Sequence, residues 1–127
     1  MKIEHIAMYV SDLERERAFF EKYFSAKCGE MYHNKNTGFR SYFLSFSDGA
    51  RLEIMNKPGV AEKGNALPVT GFAHIAISLE SREEVDRLTE MLRSDGFDVI
   101  SGPRVTGDGY YESCVLDYEG NMIELTV

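Results

Sequence analysis

Apolar and polar side chains alternate at the start of the chain, and the same alternation returns 69 residues later. Over residues 3–10, Ile6, Met8 and Val10 share one face and His5, Ala7 and Tyr9 the other. Over 72–79, Ile75, Ile77 and Leu79 oppose His74, Ala76 and Ser78. A period of two is the signature of a strand. Each alternating stretch gives way to a helical stripe. Leu13, Phe20, Tyr23 and Phe24 form the first and Val85, Leu88, Met91 and Leu92 the second, which predicts helices over about 12–26 and about 81–95. Ser11 and Ser81 read as N-caps, with Glu14 and Glu84 completing capping boxes, and Asp95-Gly96 closes the second helix. Strand-like stretches follow at about 38–47 and about 51–56, then at about 97–101, 111–117 and 121–127. Asp48-Gly49 and Glu119-Gly120-Asn121 are predicted hairpin turns.

These two series are one unit used twice. His5 falls on His74 at an offset of 69, Ser11 and Glu14 on Ser81 and Glu84 at 70, and Asp48-Gly49 and Glu53 on Glu119-Gly120 and Glu124 at 71. Short loop insertions produce such a drift, and two ordered matches at nearly one offset identify an internal repeat. The expected fold is α+β: two tandem βαβββ modules forming a curved mixed sheet, in one domain spanning 1–127. Module 1 covers about 1–56, a linker about 57–71 and module 2 about 72–127. The linker stretch "NKPGVAEKGNALPVTG" holds two prolines and three glycines with little periodicity. A second stretch, "SGPRVTGDGYYE", is read as a loop of the kind that shapes a site.

A chain of 127 residues can bury a core without disulfides. Cys28 and Cys114 match no zinc or redox spacing and read as reduced, partly buried thiols. The net charge of −7 argues against a nucleic-acid surface, which needs a local excess of lysine and arginine. Arg40, Arg51 and Arg104 are available to an anionic small substrate. Neither a basic-then-apolar leader nor an apolar run of membrane-spanning length is present, so a soluble, cytoplasmic protein without membrane partners is expected.

The polar faces of the strands carry the chemistry. Glu53 opposes Leu52 and Ile54, and Glu124 opposes Ile123, Leu125 and Val127, so His5, Glu53, His74 and Glu124 all face away from the helix-packing side. A curved sheet would gather them on its concave face. Taken singly, a strand histidine is usually a hydrogen-bonded, half-buried residue and a strand glutamate a solvated one. The recurrence of both types at equivalent positions of both repeats favours a joint role. Two imidazoles and two carboxylates suit a divalent ion of intermediate hardness (nickel, cobalt, zinc, manganese or iron), and the lack of a thiolate disfavours a closed structural zinc site. Four protein ligands in an octahedral shell leave two positions for substrate. His33 has no repeat partner and reads as a surface residue.

The H-I-A strands, the two modules and the closing "DYEGNMIEL" resemble the vicinal oxygen chelate superfamily, and within it the glyoxalase I (lactoylglutathione lyase) group. The closing motif usually reads D-P-D-G-x-x-I-E-L; Tyr118 and Glu119 depart from it within the turn and touch no ligand position. The resemblance implies that His5, Glu53, His74 and Glu124 are the metal ligands, with glutamate at Glu53 similar to glyoxalase I. It implies a lyase or isomerase acting on a small hydroxy-carbonyl or hemithioacetal substrate through an enediolate stabilised by the metal as Lewis acid, with Glu53 or Glu124 as the catalytic base. It also implies a homodimer in which His5 and Glu53 of one subunit face the partner's His74 and Glu124. Arg104, Tyr110 and Tyr111 are candidates for substrate contact. The alternatives are a methylmalonyl-CoA-type epimerase using the same enolate chemistry, and a non-catalytic, small-molecule-sequestering protein of the bleomycin-resistance type.

Overall fold

The computed structural model describes residues 3–61, 72–107 and 109–127. It divides into two compact units, Met1–Lys63 and Gly64–Val127. The linker expected at about 57–71 lies outside the described residues from 62 onward, as does Asp108 of the second expected loop.

The first unit runs β1 (His5–Tyr9), α1 (Leu13–Phe24), β2 (Lys27–Cys28), β3 (Tyr32–His33), β4 (Arg40–Ser45) and β5 (Arg51–Asn56). Its sheet has the order β1-β5-β4-β2, with β3 paired to β4. The β1–β5 pair is parallel and the others are antiparallel, so the sheet is mixed. Leu13, Phe19, Phe20 and Tyr23 of α1 bury against Leu44, Leu52 and Ile54 of the sheet. Full burial of such a side chain contributes about 1.5–3 kcal/mol. Phe19, which the expected stripe omits, takes the core position, and Phe24 is only half-buried. The helix is capped by Asp12, not by Ser11: the Asp12 carboxylate accepts from the Arg15 N–H at 3.0 Å. A charged acceptor at the positive end of the helix dipole outcompetes the adjacent hydroxyl.

The second unit runs β6 (His74–Ser78), α2 (Arg82–Ser94), β7 (Val99–Val105), β8 (Tyr111–Leu116) and β9 (Met122–Thr126), in sheet order β6-β9-β8-β7. Here β6–β9 is the parallel pair. Ser81 caps α2 as expected, accepting from Glu84 N–H. Val85, Leu88 and Leu92 bury with Val115, Ile123 and Leu125. The stretch read as a loop is mostly strand: Ser101–Val105 extend β7 and Tyr111–Glu112 open β8, with register shifts along the β7–β8 pair. Gly102 sits at one such shift with φ +76°, where a Cβ would lie 2.4 Å from the Glu112 carbonyl oxygen. At the β8–β9 turn, the Asp117 carboxylate accepts from the Glu119 and Asn121 N–H groups, and Gly120 adopts φ +74°.

The two units share one fastening. In the first, the Tyr42 hydroxyl donates to Glu14 of α1 at 2.6 Å; in the second, the Tyr111 hydroxyl donates to Asp86 of α2 at 2.6 Å. Each carboxylate pushes its phenol above the ordinary tyrosine pKa. Among the described residues, no helix is long and apolar enough to cross a membrane.

Candidate metal centre

In the first unit, β1 ends the sheet order and, among the described residues, pairs with β5 alone. The parallel register sets Ala7 opposite Glu53 and His5 opposite Arg51. Directly opposed residues share a face, so His5 and Glu53 are diagonal neighbours across Ala7. His5 Nε2 lies 4.0 Å from Glu53 Oε2. The methyl group of Ala7 leaves room between the two. Leu52 and Ile54, on either side of Glu53, are buried on the helix face, while Glu53 is half-buried on the other.

The second unit repeats this relation in the same register. Ala76 stands opposite Glu124, two residues after His74. His74 Nε2 lies 3.5 Å from Glu124 Oε2. Ile123 and Leu125 are fully buried, and Glu124 is half-buried on the opposite face.

Around these pairs the units differ. Glu4 Oε2 lies 2.5 Å from His5 Nδ1, and Glu4 Oε1 accepts from Arg51 Nε at 2.8 Å and Nη2 at 2.5 Å. His5 and then Arg51 hold the Glu4 carboxyl below the usual glutamate range. The Arg51 guanidinium lies 4.2 Å from the centre of the Phe43 ring, and His5 meets that ring edge-on at 5.3 Å. In the second unit the corresponding positions hold Ala73, Met122 and Cys114. Burial, then the Glu124 and Glu112 carboxylates, push the Cys114 thiol up, so it is neutral beside Glu124 at physiological pH. Reasoning from the repeat could not find Glu4 and Arg51, because neither recurs.

The three residues picked out for substrate contact part company. Arg104 opposes Glu112 on β8, which opposes Thr126 on β9, so Arg104 lies on the face that carries Glu124. Its Nη2 is 3.7 Å from Glu112 Oε1. Tyr110 is exposed in the β7–β8 turn, its N–H donated to Thr106 Oγ1. Tyr111 lies on the helix face with buried Ser113 and Val115, its hydroxyl on Asp86 and the Arg82 guanidinium over its ring. Arg40 is exposed at the start of β4 and His33 is exposed on β3.

Two donors about 2.1 Å from one ion stand about 3.0 Å apart at a right angle and about 3.4 Å apart at the tetrahedral angle. The His74–Glu124 spacing of 3.5 Å meets this, and the His5–Glu53 spacing of 4.0 Å meets it after a small side-chain rotation. Each pair thus fits as half of a nitrogen–oxygen shell. Among the described residues, no three or more histidine, cysteine, aspartate or glutamate side chains form a group that could hold an ion.

The family model of the Glyoxalase/Bleomycin resistance protein/Dioxygenase superfamily matches residues 2–125. The uncharacterized protein YqjT of Bacillus subtilis (strain 168) is 30% identical over 129 residues, covering 97% of this chain and 96% of that protein. The trypanothione-dependent glyoxalase I of Leishmania major is similar with a TM-score of 0.80 and 22% identity, over 99% of this chain and 86% of that one. The fosfomycin resistance protein FosX of Listeria monocytogenes, in complex with Mn(II) and sulfate, gives a TM-score of 0.70 and 23% identity over 98% and 90%. These two likenesses are of fold, and one fold carries many chemistries.

Proposed function

The chain belongs to the glyoxalase/bleomycin resistance protein/dioxygenase superfamily, and we propose that it is a metal-dependent lyase or isomerase of the glyoxalase I type. Its substrate is a small hydroxy-carbonyl compound or hemithioacetal. The observation that carries this reading is the duplicated diagonal pair: Ala7 opposite Glu53 and Ala76 opposite Glu124, each with its histidine two residues earlier. His5, Glu53, His74 and Glu124 are the residues that would hold the ion. A bare scaffold does not require the same two donor types, one histidine and one glutamate, at the same registers in both units.

When bound, the divalent ion supplies Lewis acidity to adjacent substrate oxygens. The chain's own groups do the rest. Glu53 or Glu124 takes the proton from the carbon beside the carbonyl, and the electron pair left behind spreads onto the carbonyl oxygen. The resulting carboxylic acid returns the proton to the former carbonyl carbon, and the substrate hydroxyl proton passes to the former carbonyl oxygen, so the reaction is redox-neutral. Half-burial of both carboxylates on a sheet face limits competing hydration while leaving them open to substrate. Arg104, two strands across and two residues along from Glu124 and so about 12 Å away on the sheet, would steady a negatively charged end of the substrate.

The proposed working form is a cytoplasmic homodimer, in which His5 and Glu53 of one subunit combine with the partner's His74 and Glu124. The functional test is metal analysis of the purified protein followed by an assay with methylglyoxal and a panel of thiols. Metal-dependent formation of a thioester supports the reading. A metal-loaded protein that instead epimerises an acyl-CoA moves it to the epimerase class. A metal-free protein that binds small aromatic compounds without turnover overturns it in favour of sequestration.

A further inference from the structure

The two histidines of the duplicated pairs do not have duplicated surroundings. His74 follows Ala73 and faces Met122 across β6–β9, and neither is a carboxylate: alanine has no acceptor and the methionine sulfur is only a weak one. His5 follows Glu4 and faces Arg51 across β1–β5. Glu4 is fixed twice over. The Arg51 N–H donates to the Glu4 backbone carbonyl at 2.9 Å, and the Arg51 guanidinium grips the Glu4 carboxylate through Nε and Nη2. The guanidinium is itself stacked on Phe43. Glu4 Oε2 is thereby carried to 2.5 Å from His5 Nδ1. An imidazole that donates its Nδ1–H to a carboxylate keeps the lone pair on Nε2, and Nε2 is the atom turned toward Glu53.

We propose that Glu4 and Arg51 are positioning residues that lock His5 in the Nδ1–H tautomer and aim Nε2 at the metal position, making the first unit the pre-organised half of the site. This rests on the metal-site reading above. The couple does not touch the ion or the substrate; it acts through the ring. Among the described residues the second unit has no carboxylate paired with His74 Nδ1, its near carboxylate being Glu124 beside Nε2, so His74 is not held in the Nδ1–H form before an ion binds. Neutral imidazole otherwise favours the Nε2–H form, which must lose that proton before Nε2 can ligate. Removing the couple therefore weakens metal binding by about tenfold to a hundredfold, the usual effect of losing a partner behind a ligating histidine.

The test reads the tautomer and the affinity separately. In metal-free protein above about pH 8, where ordinary histidine is neutral, long-range nitrogen–proton NMR distinguishes the two ring forms. The wild type is expected to show His5 as the Nδ1–H form and His74 as a mixture. Glu4→Leu should turn His5 into a mixture like His74, while Glu4→Gln, whose amide oxygen still accepts, should keep the Nδ1–H form. Arg51→Met, which copies the second unit, should shift His5 part of the way. Competition with a chromophoric chelator for cobalt should then rank affinities as wild type, Glu4→Gln, Glu4→Leu, with far-UV circular dichroism unchanged. A wild-type His5 already in mixed or Nε2–H form, or a Glu4→Leu variant with the wild-type tautomer, overturns the proposal. So does a Glu4→Leu variant with wild-type cobalt affinity. If no variant and no wild-type sample binds cobalt, the functional reading falls, while the metal-free NMR still decides whether Glu4 sets the tautomer.

Discussion

Ala7 stands directly opposite Glu53 in the parallel β1–β5 register, and beside its small methyl group His5 Nε2 comes to 4.0 Å from that carboxylate on the sheet face. Ala76 holds the same place before Glu124. A larger side chain at either position would fill the space between the two donors. Ala7→Leu and Ala76→Leu are each expected to weaken metal binding by at least tenfold, measured by chelator competition. Both alanines are exposed, so stability should change by only about 0.5 kcal/mol. Retained metal affinity in both variants would mean that the diagonal pairs are not where the ion sits.

The tyrosine fastenings predict how stability responds to alkali. Tyr42 and Tyr111 have pKa values raised by Glu14 and Asp86, because the carboxylate bonds the protonated phenol and repels the phenolate. A raised folded-state pKa means that the contribution is complete below the unfolded tyrosine value of about 10 and disappears as pH rises through the higher folded value. The melting temperature of the wild type should therefore fall through this window by more than that of a Tyr42→Phe, Tyr111→Phe double variant. Below about pH 9 the wild type should be the more stable of the two. Parallel curves for the two proteins would remove the assignment.

Gly102 is the position where the second sheet tolerates no side chain. It combines φ +76° with a would-be Cβ only 2.4 Å from the Glu112 carbonyl and 2.8 Å from Ser113 Cα, both backbone atoms. Gly102→Ala should destabilise the protein by at least about 2 kcal/mol, seen as a lower denaturation midpoint at unchanged slope. A midpoint within error of the wild type would show that β7 can shift away from β8.

Subunit mixing tests the shared site. If each site takes His5 and Glu53 from one subunit and His74 and Glu124 from its partner, neither His5→Ala nor His74→Ala homodimers hold an intact set. Mixed one to one with exchange, half of the dimers are hybrids with one intact site, which restores about one quarter of the wild-type metal capacity. A mixture that binds no more than the separate variants rules out sharing between subunits.

The facing of the strands was legible in the sequence because one side of each is uninterruptedly aliphatic: Ile6, Met8 and Val10, or Ile123 and Leu125, leave His5 and Glu124 only one direction to point. Where the signal was local competition, it failed. Ser11 and Asp12 are adjacent acceptors, and only the helix-end charge decides for Asp12. β2 and β3 are two residues each, too short to show a period. Gly102-Pro103 lies in the stretch that reads as a loop, yet β7 continues through it with an irregular register. The direction of Tyr111 could have been found, since Tyr111, Ser113 and Val115 alternate with Glu112 and Cys114. Glu4 could not, and Arg51 was legible only as a cation open to an anionic substrate, because the pairing of the two lies in how the repeats differ.

The central claim is that one divalent ion is held by His5, Glu53, His74 and Glu124. Calorimetric titration of metal-free protein with nickel or cobalt tests it most directly, run on the wild type and on His5→Ala, His74→Ala and Glu124→Ala. The expected result is one ion per chain in the wild type, binding that weakens as pH falls and protons compete for the imidazoles, and no stoichiometric binding in the three variants. Glu53→Gln should keep much of the affinity through its amide oxygen while losing turnover if that carboxylate moves the proton. Absence of stoichiometric binding in the wild type, or wild-type affinity in His5→Ala or His74→Ala, would contradict the claim.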